Sequence, residues 1–141
     1  MSAFSKVMVA VDGSPNAAHA LDVAAQVAIA SSADLIVVHA VGLLEEQSVH
    51  DISVEDRVDE IENQVDEWCQ PLRDANVEHT VEVVPGSPVP ALLLAASRAG
   101  ADLLVVGSRG VGGHGGRQLG STSQGLVQES EVPVLVVPSP A

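Results

Sequence analysis

The stretch Asp102-Leu-Leu-Val-Val-Gly-Ser-Arg-Gly110 leads from an apolar run into the most glycine-rich part of the chain. Residues 107–123 hold seven of the twelve glycines and two of the six basic residues. The apolar run predicts a buried strand, and the residues after Gly120 predict a helix. A glycine-rich connection from a buried strand to a helix N-terminus exposes backbone N–H groups that favour phosphate. Nucleotide binding is therefore the first hypothesis.

Five short apolar runs indicate an α/β fold. They are rich in Val, Ile and Leu without clean alternation, as in parallel strands that are buried on both faces. The runs are Val7–Val11, Leu35–Val41, His79–Val84, Leu103–Val106 and Val134–Val137. The third alternates most and predicts an edge strand. Because helical segments lie between the runs, we expect a single domain over residues 1–141: a doubly wound, Rossmann-like five-stranded parallel sheet with helices on both faces.

Serine marks three predicted helix starts. Ser14-Pro15 and Ser87-Pro88 each place a capping serine before a proline, which is favoured at the first helical position. Ser121-Thr-Ser-Gln124 has the spacing of a capping box, which predicts Ser121 as the cap of its helix. Ligands of such sheets bind beyond the carboxyl ends of the strands, so the glycine-rich segment lies on the functional edge.

Composition restricts the partners. A formal net charge of −13 argues against nucleic acid and anionic membrane surfaces, which attract basic patches. Cys69 is the one cysteine, which excludes an intramolecular disulfide and a cysteine metal cluster. No apolar run approaches the ~20 residues of a membrane span, and no signal peptide is recognisable, so we expect a cytoplasmic protein without membrane insertion. Since Phe4 and Trp68 are the only Phe, Tyr or Trp residues, we expect a bound base to contact aliphatic side chains.

Two well-known phosphate loops are excluded. A Walker A loop requires Gly-Lys followed by Ser or Thr, whereas Lys6 is the one lysine of the chain. A dinucleotide fingerprint would follow the first strand, and that turn is Val11-Asp-Gly-Ser-Pro15.

Other polar residues leave alternatives open. Asp12 would accept hydrogen bonds from a ribose, act through a divalent cation, or form an Asx turn before Ser14. His39 and His114 would contact nucleotide or serve in packing. Trp68 and Cys69 fall in the predicted second helix, away from the ligand edge, and are interpreted as structural.

The acidic residues are unevenly distributed. Thirteen of the nineteen fall between Glu45 and Glu82, around the predicted second helix. This pattern is typical of a solvated helix face, and the alternative is a surface that selects an as yet unidentified protein partner. No catalytic constellation is recognisable, so we do not expect an enzyme. The alternatives are a nucleotide-using transferase or hydrolase and a nucleotide-free interaction module.

The glycine spacing is specific. Gly107, two residues, Gly110, nine residues and Gly120-Ser121 match the ATP-binding signature of the universal stress protein family. The chain resembles that family throughout, in Val9-Ala-Val-Asp-Gly-Ser14, Leu35-Ile-Val-Val-His-Ala40 and Val132-Pro-Val-Leu-Val-Val-Pro138. It departs from many relatives at 112–118, where more glycine raises the entropy lost when the loop orders.

The resemblance implies a fold, a ligand and an assembly. The implied strand order is 3-2-1-4-5, and the implied assembly is a homodimer through the last strand, Val134–Val137. The implied ligand is ATP, with or without Mg²⁺, and the motif does not separate ATP from AMP or cyclic AMP. ATP hydrolysis, where it occurs, is expected to be slow.

The implied binding residues form three groups. The phosphate and ribose cradle comprises Gly107, Arg109, Gly110 and Gly120, with Ser108 and Gly113 in the same segment. The phosphates meet the helix start at Ser121 and Thr122. The adenosine is flanked by Val11, Asp12 and Gly13, with Val38 beside the base.

Overall fold

A computed structural model describes residues 4–42, 54–109 and 120–140. The strands are β1 (Lys6–Ala10), β2 (Asp34–Val41), β3 (Thr80–Pro85), β4 (Leu103–Gly107) and β5 (Val134–Val137). The helices are α1 (Pro15–Ser31), α2 (Val54–Trp68), α3 (Gln70–Asp74), α4 (Pro88–Ala99) and α5 (Ser121–Glu129). Each of the five apolar runs is thus a strand, and no boundary differs from the prediction by more than one residue.

The strands form one parallel sheet in the order β3-β2-β1-β4-β5. In its centre, Val9 of β1 pairs with Val37 on one side and Val105 on the other. The third strand lies at an edge, as its alternation predicts. The α/β class and the strand order are therefore confirmed, and the carboxyl ends of all the strands meet at one edge.

Helices cover both faces of the sheet. One core contains side chains of α1, α2 and α3, and the other contains side chains of α4 and α5. β1 serves both because successive side chains of a strand point to opposite faces: Val7 and Val9 enter the first core, and Met8 enters the second. No helix within the described ranges is long and apolar enough to cross a membrane.

The helix starts agree with the predictions in part. The Ser14 hydroxyl accepts a hydrogen bond from the Ala17 N–H at 3.1 Å, so the predicted cap of α1 is confirmed. Ser87 occupies the cap position of α4 without a side-chain cap bond.

The predicted capping box at Ser121 is wrong. Gly120 is the cap residue of α5, and Ser121 is the first residue within the helix. The reason is that the Gly120 N–H donates to the Ser108 carbonyl at 2.7 Å, which ties the chain at Gly120 and starts the helix there. The Ser123 hydroxyl lies 3.0 Å from the Gly120 carbonyl, to which it donates, and it caps no N–H group.

Candidate functional site

The candidate site lies where the chain leaves β1 and β4. These strands are adjacent and parallel, but α1, which follows β1, packs on one face, while α5, which follows β4, packs on the other. In an open α/β sheet, this divergence creates a crevice beyond the carboxyl ends of the strands. Residues 11–14, 107–109 and 120–122 come together around it.

The turn after β1 is held by its own hydrogen bonds. The Val11 N–H donates to the Val38 carbonyl at 2.9 Å, which extends the strand pairing by one residue. An Asp12 carboxylate oxygen then accepts from the Ser14 N–H at 2.9 Å. Gly13 has φ +83°, which an L side chain rarely adopts. The Asx turn weighed for Asp12 is therefore present, and the ribose contact stays a prediction that the turn does not exclude.

A buried amide organises the end of β4. Asn16, in the first turn of α1, is 5% exposed, and its oxygen accepts from the Arg109 N–H at 2.8 Å and from the Ser108 hydroxyl at 3.1 Å. Its nitrogen donates to the Val137 carbonyl at 3.0 Å. A Cβ on Gly107 would lie 2.9 Å from the side-chain carbon of Asn16, so this glycine is required for close approach.

Sequence reasoning missed Asn16. It lies four and eight residues before Ala20 and Ala24, both of which are completely buried. The helical period therefore places a polar side chain on the apolar face of α1. A buried amide requires hydrogen-bond partners, and this signal was available in the sequence.

Ser108 joins the two ends of segment 108–120 by a hydrogen bond to Gly120. Its carbonyl accepts from the Gly120 N–H at 2.7 Å and from the Ser123 hydroxyl at 3.1 Å. Its own N–H donates to the Val137 carbonyl at 2.8 Å. The start of α5 is thereby held beside the end of β4, as a strand-to-helix phosphate cradle requires.

The first turn of α5 presents donors to the crevice. Gly120 has no side chain with which to cap the helix, and Ser121 is exposed while Thr122 is half-buried. Within the described residues, the N–H groups of 121–123 have no partner, and together with the positive end of the helix dipole they favour an anion here. Arg109, half-buried at the other end of the segment, adds a cation.

Val38 is buried, and three other predicted residues lie outside the described ranges. The Val38 side chain is 0% exposed and packs in the core beneath α4 and α5, so it presents no surface at the crevice in this conformation. Gly110 and Gly113 lie outside the described residues, as does His114.

Trp68 lies at the functional edge, which corrects the expectation that it is remote from it. A Cβ on Gly13 would lie 2.6 Å from a ring carbon of Trp68, and the His39 and Trp68 rings meet edge to face with centroids 5.2 Å apart. His39 Nδ1 lies 2.8 Å from the Val11 carbonyl. The sequence position of Trp68 in α2 did not reveal this contact because the packing of α2 against the sheet determines it. An indole therefore borders the turn after β1.

Cys69 is structural, as expected. It is 0% exposed, and burial, with the Asp66 carboxylate as a smaller cause, raises the pKa of its thiol to about 11. Within the described ranges, no three His, Cys, Asp or Glu residues are grouped so that they would hold a metal ion.

Comparison with known proteins agrees with the fold. The sequence profile of the universal stress protein family matches residues 3–138. Universal stress protein YxiE of Bacillus subtilis (strain 168) is 36% identical over 147 residues, covering 95% of this chain and 99% of the relative.

Two solved structures share the fold. A universal stress protein in complex with cAMP has 32% identity and a TM-score of 0.74, covering 99% of this chain and 100% of that one. A universal stress protein family protein from Arabidopsis thaliana with AMP bound has 23% identity and a TM-score of 0.69. The match covers 97% of this chain and 93% of that one, and it shows likeness of fold alone. The profile match across nearly all residues, together with the strand order 3-2-1-4-5, shows that this chain belongs to the universal stress protein family.

Proposed function

We propose that this protein binds an adenine nucleotide, with ATP as the first candidate, at the crevice between β1, β4 and the start of α5. It acts as a cytoplasmic nucleotide-responsive module of stress signalling, with little or no catalytic turnover. The observation that supports this proposal most directly is the Ser108 carbonyl, which joins the end of β4 to the uncapped start of α5. The cAMP complex of a 32% identical relative supports an adenine nucleotide as the ligand class.

The phosphates belong at the start of α5. The N–H groups of its first turn and the hydroxyls of Ser121 and Thr122 supply donors, and Arg109 supplies positive charge. In a chain of net charge −13, this positive charge offsets the repulsion that a triphosphate meets. A Mg²⁺ ion bound to the phosphates would reduce that repulsion further.

The adenosine belongs beside the turn after β1. Asp12 lies in this turn, where one of its oxygens accepts from the Ser14 N–H, and a carboxylate is an acceptor of the kind that ribose hydroxyls require. Trp68 borders this turn at Gly13, so its fluorescence is a natural reporter of nucleotide binding.

Identification of the bound nucleotide tests the proposal. The purified protein is denatured, and the released small molecules are analysed by mass spectrometry. Calorimetric titration with ATP, AMP and cAMP, each with and without Mg²⁺, then ranks the ligands. We expect binding of at least one adenine nucleotide. No binding of any of them up to millimolar concentration, with the fold intact, contradicts the proposal.

A matched pair of arginine variants tests the site. Arg109→Ala removes the positive charge near the start of segment 108–120, and we expect ATP affinity to fall about tenfold or more because a charge-assisted hydrogen bond is lost. Arg98→Ala removes an equal charge from the last turn of α4, and we expect little change. Equal losses in both variants would indicate a general charge effect and would contradict the assigned site.

Cyclic AMP is the second candidate ligand because a 32% identical relative was solved in complex with it. The arginine pair separates the two candidates. If Arg109 neutralises a triphosphate, its loss weakens ATP binding more than binding of the singly charged cAMP. Slow hydrolysis of ATP would be measured in the same preparations as release of phosphate.

We also propose a homodimer through β5. This strand pairs with β4 on one side and is the last strand of the sheet. The carbonyls of Pro133 and Val137 accept bonds from β4 and Ser108, so strand alternation directs the Val136 N–H to the outer edge. Val136→Pro removes that donor, and we expect the dimer to dissociate in analytical ultracentrifugation. Sedimentation of the unaltered protein as a monomer contradicts this proposal.

A further inference from the structure

We propose that Asn16 is the positioning residue of the nucleotide site: its buried side-chain amide holds the backbone of Ser108 and Arg109 in place and ties it to the last residue of β5. The role in ligand binding rests on the proposed function. The role in holding the backbone rests on the geometry alone, and the two are tested separately.

The first support is the hydrogen-bond geometry. The Asn16 oxygen accepts from the Arg109 N–H and the Ser108 hydroxyl, at 2.8 and 3.1 Å. The Asn16 nitrogen donates to the Val137 carbonyl at 3.0 Å. The Asn16 side chain is 5% exposed, and both its oxygen and its nitrogen thus form hydrogen bonds. Their partners lie at the ends of the neighbouring strands β4 and β5. A buried polar group that loses these partners is costly, so the amide strongly favours this single backbone position.

The second support is the fit of Gly107. Its backbone passes so close to Asn16 that an added Cβ would lie 2.9 Å from the side-chain carbon and 3.2 Å from the Asn16 carbonyl oxygen. The glycine of the family spacing and the asparagine of α1 therefore form one contact. Because Asn16 is 5% exposed, a larger side chain at position 16 would have to displace its neighbours, and a shorter one would lose the contact with the Arg109 N–H.

The third support is the link to β5. The Val137 carbonyl accepts from both the Asn16 amide and the Ser108 N–H, at 3.0 and 2.8 Å. Asn16, Ser108 and Val137 thus form a closed set of hydrogen bonds that joins α1, the end of β4 and the end of β5. A displacement of the end of β5 therefore disturbs the partners of Ser108, whose carbonyl holds the start of α5. These bonds connect the last strand to the candidate phosphate cradle.

Hydrogen exchange measured residue by residue by NMR tests the positioning without any ligand. In the unaltered protein, we expect the Arg109 amide to be protected, because its N–H is bonded to a buried acceptor. Asn16→Ala should speed exchange at Arg109 about tenfold or more, corresponding to one lost hydrogen bond. If the unaltered protein exchanges this amide at the rate of an unstructured peptide, or if Asn16→Ala leaves the rate unchanged, the proposal is overturned.

A second variant of α1 controls for general loss of stability. Ala24→Gly destabilises the same helix eight residues farther along, at a completely buried position. We expect it to lower the melting temperature while leaving Arg109 protected relative to its neighbours. If Ala24→Gly and Asn16→Ala change the Arg109 exchange equally, the effect is structural only and the proposal fails. If Asn16→Ala does not fold, Asn16→Ser, which keeps a hydroxyl in the buried position, takes its place.

Titration with ATP and cAMP completes the test. Where the unaltered protein binds either nucleotide, we expect Asn16→Ala to weaken binding about tenfold and Ala24→Gly to leave it within twofold, at a temperature where both are folded. Equal affinity of Asn16→Ala and the unaltered protein overturns the ligand role. If the unaltered protein binds neither nucleotide, the proposed function fails, and the exchange data alone decide whether Asn16 holds Ser108 and Arg109.

Discussion

The starts of α1 and α5 face the same crevice but satisfy their backbone donors differently. At α1, the Ser14 hydroxyl accepts from the Ala17 N–H and Asp12 accepts from the Ser14 N–H. At α5, the cap residue is Gly120, which has no side chain, and the Ser123 hydroxyl donates to carbonyls. The start of α1 is capped by the side chains of nearby residues, whereas within the described part of the chain the N–H groups of 121–123 at the start of α5 have no partner.

A third helix start makes the contrast clearer. α4 also lacks a side-chain cap bond, but it has Pro88 and Pro90 in its first turn, and proline has no N–H group. Two of the donors that would need partners are therefore missing from the sequence. α5 has no proline in its first turn, and within the described residues its N–H groups at 121–123 have no partner, because the intrahelical bonds begin with the Gln124 N–H donating to the Gly120 carbonyl. An uncapped helix start indicates an anion site only when its donors are present and face a crevice.

The two helices also differ in how firmly they are anchored. α1 has seventeen residues, seven of them buried, whereas α5 has nine, of which Ser123 and Leu126 are buried. Since packing of the apolar face supplies most of the stability of a helix in a protein, α5 depends on few contacts. We therefore expect α5, the element proposed to bind phosphate, to open more easily than α1.

The largest expected effect is on the anchor of α5. Leu126 is completely buried, and we expect Leu126→Ala to lower the free energy of unfolding by about 3 kcal/mol, because truncation of a buried leucine leaves a cavity. Denaturant titration measures this loss. Val127→Ala changes the next residue, which is 50% exposed, and should cost less than about 0.5 kcal/mol. Similar losses in both variants would contradict the anchoring of α5 through Leu126.

Removal of the α1 cap should have a smaller effect. Ser14→Ala removes the acceptor of the Ala17 N–H, and we expect a loss of about 1 kcal/mol in the free energy of unfolding. Ser87→Ala is its control, because Ser87 makes no side-chain cap bond and should cost less. If the two serines prove equivalent in thermal unfolding, the α1 cap does not have the energetic role given to it.

Adding a cap to α5 removes the contrast between the helices. Gly120 has φ −65° and ψ 162°, which other residues adopt, so Gly120→Asn and Gly120→Asp should each stabilise the helix by a few tenths of a kcal/mol. The Asp variant has an added negative charge where phosphate is proposed to lie, so ATP should bind about tenfold more weakly to Gly120→Asp than to Gly120→Asn. Calorimetric titration measures the difference. Equal affinities would place the phosphates away from α5.

The smallest expected effect lies at the opposite edge of the sheet. Backbone N–H groups of Ser5 and Lys6 donate to the Asp102 carboxylate at 2.8 and 3.0 Å, and these bonds hold its pKa below the usual value. The stabilisation is therefore present above about pH 4 and is lost as the pH falls through the lowered pKa. Asp102→Asn should show a flatter decline of stability in acid, with unchanged nucleotide affinity at neutral pH. An identical acid profile in urea titrations would contradict this role.

The strands were predictable because their apolar runs are short, dense in Val, Ile and Leu, and separated by marked helix starts. The parallel, doubly wound class followed from that alternation, and the resemblance to the family supplied the strand order. The misplaced cap shows where local reasoning ends. Ser121 has the right spacing for a capping box, but Gly120 is the cap residue of α5. Gly120 bonds to Ser108, a residue twelve positions away, which the local pattern does not reveal.

The candidate site was predictable only as a set of chain positions. The glycine spacing and the turn at Asp12 located the edge, but Asn16 and Trp68 were not assigned to it. Asn16 forms hydrogen bonds with Ser108, Arg109 and Val137, which are 92, 93 and 121 positions away in the chain. The ring of Trp68, in α2, contacts Gly13 in the turn after β1. No local period encodes such pairs.

The amino-acid sequence by itself determined the elements, their parallel arrangement and the identity of the glycines, because short-range pattern and backbone freedom are local properties. Tertiary structure decided which donors remain for a ligand and which residues hold them. The physical reason is that a hydrogen bond between distant residues is formed or lost according to packing, and Asn16, Ser108 and Val137 meet only when α1, β4 and β5 are assembled.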